Sequence, residues 1–224
     1  MPNVLMIACP TIKQEVNAIA NEINAPYPIY YLPELHVFPD KLNDYLKDML
    51  SRLCNVDYVL LPMGQCGKST FGLRSDSATL VLPRCEDCTD LLLSEKTLGD
   101  IERPKYTYFF TDGWLENGRT FIREYQWAID KYGDETADDI MQTLYRNYQY
   151  FAYTDTGVGD YDACCRRVKP LADTVGATIN RLRAPHGVLK KMMRLQFDGD
   201  FVLVPPGEMV TQKLFEKNVA RRDA

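Results

Sequence analysis

Histidine is nearly missing from this chain: His36 and His186 are the only two among 224 residues. His36 lies in a proline-flanked loop and His186 follows Pro185, so neither stands with a serine and an acid in the order a hydrolytic triad needs. Long apolar runs are missing too. None approaches the ~20 residues of a membrane span, and no basic leader or cleavage site precedes the first apolar segment, so a cytoplasmic protein without a membrane anchor is expected. There is no excess of basic charge. Lys and Arg number 26 against 31 Asp and Glu, a net charge of −5 with both signs mixed along the chain, which argues against a nucleic-acid surface; the Arg221-Arg222 pair reads as a solvated tail. Low-complexity stretches and long linkers do not occur. A second CxxC beside Cys85-Glu86-Asp87-Cys88 is also absent, and without it a zinc ribbon is not supported.

Enough apolar residues are present, 46% of the chain, to fill one large domain or two small lobes. Short runs rich in Val, Ile, Leu and Tyr, bounded by Pro, Gly or Asp, fall at 3–9, 28–32, 58–62, 79–83, 106–111, 150–154, 177–182 and 201–205. They read as buried strands. Helical patterns lie between them at 13–23, 41–53, 88–93, 120–132, 136–148, 161–175 and 188–194. This alternation predicts an α/β fold of mostly parallel sheets with helices on both faces. The segment Asp57 to Gln65 is echoed by Asp200 to Glu208, and each half opens with strand, helix and strand. The echo suggests two Rossmann-like lobes related by internal duplication, at 1–112 and 113–224, with a binding crevice between them; its alternative is a common way of writing a buried strand with a proline exit.

Seven cysteines, an odd number, in a chain without a secretory signal argue for free thiols, metal ligation or redox work. Cys9, Cys66 and Cys88 each follow a predicted strand. In an open α/β sheet the carboxyl ends of the strands share one edge, so these sulfurs are expected to converge there. Metal-bound cysteine is a thiolate, favoured beside helix amino termini, and helices are expected to begin after Cys9, after Cys66 and at Cys88. Cys85 has the spacing to add a fourth sulfur. A metal ion or iron–sulfur cluster is the chemistry such a set serves; its alternative is inert burial, the reading that suits Cys54 at a helix end and at least one of Cys164 and Cys165.

Three other patterns bear on ligands. The run Gly64 to Thr70 invites a phosphate-loop reading through Gly67 and Lys68, but the position that needs the first glycine is Pro62 and no acidic magnesium partner follows a later strand, so an ATPase is the weakest of the functional readings. An anion at a helix start after Gly67 remains open. Asp155 and Gly157, after the sixth predicted strand, either approach a ligand or form a turn and helix cap. Trp114, just past a strand end, is expected to line the crevice, whereas Tyr145, Tyr148, Tyr150 and Tyr153 suggest either a flat ring-binding wall or, the preferred reading, packing residues with their hydroxyls at the surface.

The ordered blocks Ile7-Ala8-Cys9-Pro10, Gly64-Gln65-Cys66-Gly67, Gly72-Leu73-Arg74, Leu82 to Cys88 with Leu91-Leu92-Leu93, Gly113-Trp114-Leu115-Glu116 and Val204-Pro205-Pro206-Gly207 resemble those of the domain-of-unknown-function 1638 family. The resemblance spans nearly the whole chain and is specific when the blocks are taken together. The family's usual Ala-Cys-Gly, Leu-Cys-Gly and His-Asp-Cys map onto Cys9, Cys66 and Cys88 and place Glu86 where a histidine is common. Family members occur in bacteria and archaea, often beside corrinoid-dependent methyltransferase systems of anaerobes. The resemblance therefore implies a role in one-carbon metabolism, with a corrinoid protein or methyltransferase as partner. Three thiolates with an open position would suit substrate activation, and a fourth ligand from Cys85 or Glu86 would suit structure or electron transfer, with zinc and an iron–sulfur cluster both open. The competing class is an accessory protein that binds a small molecule or partner without metal.

Overall fold

The computed structural model describes residues 2–216; the Arg221-Arg222 tail lies outside them. The larger of two sheets contains β1 (Val4–Ala8), β2 (Ile29–Tyr31), β3 (Tyr58–Leu60), β4 (Thr79–Pro83) and β8 (Phe201–Val204) in the order β2-β1-β3-β4-β8. The first four are parallel and β8 runs antiparallel to β4. The smaller sheet is β5 (Thr107–Phe110), β6 (Tyr150–Asp155) and β7 (Thr178–Arg183), all parallel and in sequence order. The helices are α1 (Lys13–Ile23), α2 (Pro39–Ser51), α3 (Cys88–Leu93), α4 (Asp112–Glu116), α5 (Phe121–Tyr132), α6 (Asp134–Tyr145), α7 (Tyr161–Val175) and α8 (Gly187–Met193). Among the described residues no helix is long and apolar enough to cross a membrane.

The two-residue period of a strand sends alternate side chains to opposite faces. Met6, Ala8, Leu60 and Val81 accordingly pack with Val16 and Ile19 of α1, Leu91 of α3 and Leu189 of α8. Ile7, Val59, Leu80 and Leu82 turn the other way, onto Leu42, Leu46 and Leu50 of α2. Phe110, Phe151 and Tyr153 of the smaller sheet meet Phe121 of α5, Met141 of α6 and Val168 of α7. Thr154, of opposite parity on β6, lies with Ile12 and Leu92 around a small cavity of about 30 Å³, so the second face of the smaller sheet rests on the larger unit. Helix ends follow local chemistry: the Thr120 side chain accepts from the Arg123 amide at the start of α5, and Asp160 accepts from Ala163 at the start of α7, each using a hydroxyl or carboxylate to satisfy an orphan donor. α7 stops at Gly176, where φ is +72°.

The expected division at residues 112 and 113 is displaced. β5 already belongs to the smaller sheet, and α8 and β8 return to the larger one. The reason is the antiparallel pairing of β8, which places Val202 opposite Leu82 and Leu203 opposite Val81. The segment echoing β3 is therefore another strand of the same sheet, reversed in direction, and the topology does not confirm duplication.

One buried polar contact ties the units together. Thr156 Oγ1 donates to Glu15 Oε1 at 2.9 Å, while Glu15 is 2% exposed and its Oε2 has no partner among the described residues. Burial raises the Glu15 pKa, with the nearby Asp112 carboxylate adding to the effect. A carboxyl whose folded pKa is raised contributes most below its unfolded value and loses that contribution as pH rises through the folded value. At pH 7 the neutral Glu15→Gln side chain is therefore expected to leave the melting temperature unchanged or higher, whereas Thr156→Val lowers it. A loss of several degrees in Glu15→Gln by calorimetry would contradict this.

Candidate functional site

The order β2-β1-β3 places a topological switch point between β1 and β3, where chain connections leave in opposite directions and the carboxyl edge of a parallel sheet opens a crevice. Cys9 follows β1 directly and begins a short 3-10 turn, Pro10–Ile12. Cys66 lies beyond β3 in a loop held open-handed by φ values of +59° at Gly64, +44° at Cys66, +64° at Gly67 and +73° at Lys68. That conformation costs a non-glycine residue about 1–2 kcal/mol, so tertiary contacts hold Cys66 where it is. Those contacts extend the β3–β4 pairing beyond the strands: the Gln65 amide donates to the Cys85 carbonyl at 3.0 Å and the Cys66 amide to the Glu86 carbonyl at 2.7 Å. Cys88 is the first residue of α3, whose amino end is capped by Asp87 accepting from the Thr89 amide at 2.8 Å.

These three cysteines line one cavity of about 520 Å³. Its opposite wall comes from the smaller sheet's edge strand β5 and its neighbours, with Tyr108, Phe109, Trp114 and Tyr148 among the lining side chains. Gly113 allows α4 to seat against the Pro10–Ile12 turn: a Cβ on it would stand 2.2 Å from the Thr11 carbonyl oxygen. Trp114 is thereby brought to the cavity, with its Nε1 donating to the Tyr108 hydroxyl at 3.1 Å. Arg103 closes one side by bridging Asp87 at 2.6 Å and Asp90 at 2.7 Å, so its charge is already matched by two carboxylates.

All three thiols are held protonated. Burial raises the Cys9 pKa, and the Thr11 hydroxyl, 3.1 Å from its sulfur, opposes the rise. Burial and then the neighbouring Cys9 push Cys66 up to about 11. Cys88 is raised well above the ordinary 9.0 by burial, then by Asp87 and by Cys9 and Cys66. The thiols thus sense one another through the cavity. A raised thiol pKa stabilises the fold below the ordinary value and is lost as pH climbs through the folded one, so stability should fall above about pH 9. In metal-free protein, alkylation of Cys66 by iodoacetamide is expected to reach half its maximal rate near pH 11 rather than 9, with exposed Cys54 modified first. Peptide mass spectrometry across pH checks this, and half-maximal modification of Cys66 below pH 9 would contradict it.

Of the other residues singled out in the sequence, Gly67 and Trp114 line the cavity. Cys85 does not: it is buried beneath Gly64, and its thiol donates to the Asp87 carbonyl at 3.2 Å. The Glu86 and Lys68 side chains are exposed. No helix follows Gly67 to Thr70, so the helix-start anion site expected there is not formed; the Thr70 hydroxyl instead donates to the Gly64 carbonyl at 2.9 Å. Asp155 pairs with Arg181 at 2.7 Å and accepts from the Gly157 amide at 3.2 Å, away from the cavity. Cys54, expected to pack, is exposed because it lies past the last turn of α2, while Cys164 is buried.

His36, Arg103 and Tyr108 line the cavity without having been singled out for it, and Tyr148, read first as a packing residue, lines it too. Arg103 left one trace in the sequence, since Asp87 and Asp90 stand three apart on the first turn of a helix and so present two carboxylates together. His36 packs its ring 4.7 Å from that of Trp114. Among the described residues neither of its ring nitrogens has a hydrogen-bond partner, and both are shielded from solvent. Burial lowers its pKa, so the ring is neutral, and each unmade bond to a buried polar atom costs about 1–3 kcal/mol.

Three thiols, one of them on the first residue of α3, and a neutral imidazole line the same cavity, residue types that soft ions take as ligands. Among the described residues, however, no three Cys, His, Asp or Glu side chains already meet around a point that would hold an ion. Enclosing one requires the thiols to turn toward each other.

Searches of curated proteins and of solved structures gave no significant match. A family model does match, over residues 31–193, and that span takes in Cys66, Cys85, Cys88 and Trp114 while Cys9 precedes it. Because the match covers well over half of the chain, the protein belongs to the family described as Protein of unknown function (DUF1638).

Proposed function

We propose that the cleft binds a thiophilic metal, as zinc or an iron–sulfur cluster, through Cys9, Cys66 and Cys88, and receives a small organic molecule against the aromatic wall above them. The observation that carries this reading is the convergence of three thiols from separate strand ends on one cavity. A resident metal would supply Lewis acidity or electron transfer there. The chain's own residues do the rest. Burial keeps the thiols neutral, so uptake of a metal releases protons and strengthens as pH rises. Arg103 fixes the first turn of α3 by clamping Asp87 and Asp90, holding Cys88 at the rim. Trp114 and Tyr108, hydrogen-bonded to each other, give the small molecule an aromatic wall to rest on.

The setting is one-carbon metabolism with a corrinoid protein or methyltransferase as partner, a context that the family resemblance supports. Cys85, already bonded to its own loop, and Glu86, turned to solvent, are weaker candidates for a fourth ligand. A second reading, a metal-free small-ligand protein, is favoured by the cavity's volume and aromatic lining, which suit an organic guest. Elemental analysis and an absorption spectrum of protein isolated without oxygen separate the two. Stoichiometric zinc, or iron with a broad brown absorption, supports the first, and metal-free protein with an intact fold supports the second.

A further inference from the structure

Among the described residues, the charged side chains that line the cleft cavity are Asp87 and Arg103, and each is already matched. Arg103 donates from Nη2 and Nη1 to the two Asp87 oxygens at 2.6 and 3.3 Å, and from Nε to Asp90 Oδ1 at 2.7 Å. The Glu86 amide donates to the remaining Asp90 oxygen at 3.0 Å, so all four carboxylate oxygens are engaged. The guanidinium also lies over the Phe109 ring, 5.9 Å from its centre. An anion entering the cavity meets no unmatched cation there, and a cation meets no unmatched carboxylate. Either would leave water without a partner, which costs far more than burying a neutral group.

Much of the polar lining is closed off in the same way. Trp114 Nε1 donates to the Tyr108 hydroxyl at 3.1 Å, so these two rings meet each other with their polar ends and leave carbon surface for the cavity. The Thr11 hydroxyl is 3.1 Å from the Cys9 sulfur, and the Thr107 hydroxyl donates to the Lys105 carbonyl at 3.0 Å. Both nitrogens of His36 are shielded from solvent, so that side chain presents ring carbon. Burial leaves the thiol floor of Cys9, Cys66 and Cys88 uncharged as well. We infer that the cavity is a binding site for an uncharged, planar ring compound, seated against Trp114 and Tyr108 and selected against charged molecules of the same shape. Its volume of about 520 Å³ falls in the ~300–1,000 Å³ usual for small-molecule sites. The inference rests on the reading of the cleft as a small-molecule site and names its guest; it holds whether or not the thiol floor carries an ion.

Four probes of one size separate charge from shape: 2-naphthol, neutral and flat; 2-naphthoate, an anion; 2-naphthylmethylammonium, a cation; and decahydro-2-naphthol, neutral but saturated. Each is titrated by calorimetry at pH 7 into the full-length protein isolated without oxygen, whose metal content is measured on the same sample. One 2-naphthol per chain is expected to bind. Both ions should bind at least about tenfold more weakly, since neither finds a partner for its charge, and the saturated analogue about two- to twelvefold more weakly for want of ring–ring contact. Two variants locate the site, with circular dichroism checking their fold. Trp114→Leu should weaken 2-naphthol binding at least about twofold. Trp127→Leu, which alters an exposed ring of α5 apart from the cavity, should bind as wild type does. No binding of 2-naphthol, an ion binding as well as or better than it, equal binding of the saturated analogue, or unchanged binding by a folded Trp114→Leu protein overturns the inference at any metal content. Metal-free protein that binds 2-naphthol as described supports it and overturns the metal reading of the thiol floor alone.

Discussion

Gly64→Val is expected to destabilise the protein more than any single change at the cavity and to disperse the site with it. The residue has a φ of +59°, and a Cβ there would stand 2.4 Å from the Cys85 carbonyl oxygen and 2.7 Å from its sulfur. The first obstacle is backbone, which cannot rotate aside. A left-handed conformation with a side chain costs about 1–2 kcal/mol, and forcing atoms into a packed interior about 1–3 kcal/mol more. The sum, roughly 2–5 kcal/mol, is a large part of the ~5–15 kcal/mol that holds a typical domain together. Because Gly64 precedes the two backbone hydrogen bonds that tie the Cys66 loop to the Cys85–Glu86 segment, relief of the clash would separate Cys66 from Cys88. Denaturant titration and metal analysis should therefore fail together. A Gly64→Val protein with wild-type stability would show that these loops are not packed as described.

Gly113→Val acts on the other wall. Its Cβ would meet the Thr11 carbonyl oxygen at 2.2 Å, so α4 must lift from the Pro10–Ile12 turn and carry Trp114 with it. A stability loss of about 1–3 kcal/mol is expected, which for a chain of this size lowers the melting temperature by roughly 2–12 °C. The more telling effect is on the cavity. Trp114 emission should shift to the red as the indole reaches water, and ligand affinity should fall while the cysteines of the larger sheet stay in place. Unchanged emission in a folded Gly113→Val protein would mean that this contact does not position Trp114.

The sequence carried the elements well because their causes are local. α1, α3 and α7 have the bounds their patterns suggested, and β4 runs over Thr79–Pro83 as expected. Cys9, Cys66 and Cys88 could be placed at one rim because a parallel sheet fixes where strand ends point. The direction of β8 was hidden, since alternation of side chains is the same in parallel and antiparallel strands, and with it went the boundary between the two units. The loop after β3 was misjudged for a different reason. Gly67-Lys68-Ser69-Thr70 has the composition of a helix start, but its left-handed backbone and the tie from Thr70 to Gly64 keep it a turn. His36 and Tyr108 were out of reach because their place at the cavity depends on how two sheets dock, and the same dependence left Tyr148 read as packing. The short helix Asp112–Glu116, which sets that docking through Gly113, falls inside what reads as a strand exit.

The thiol floor is tested most directly by the metal stoichiometry, by elemental analysis, of Cys66→Ser protein prepared without oxygen beside Cys54→Ser, whose thiol is exposed and apart from the cavity. Loss of bound metal in the first, with retention of one ion or cluster per chain in the second, is the expected result. Equal metal content in both, or none in either or in wild type, would contradict the account.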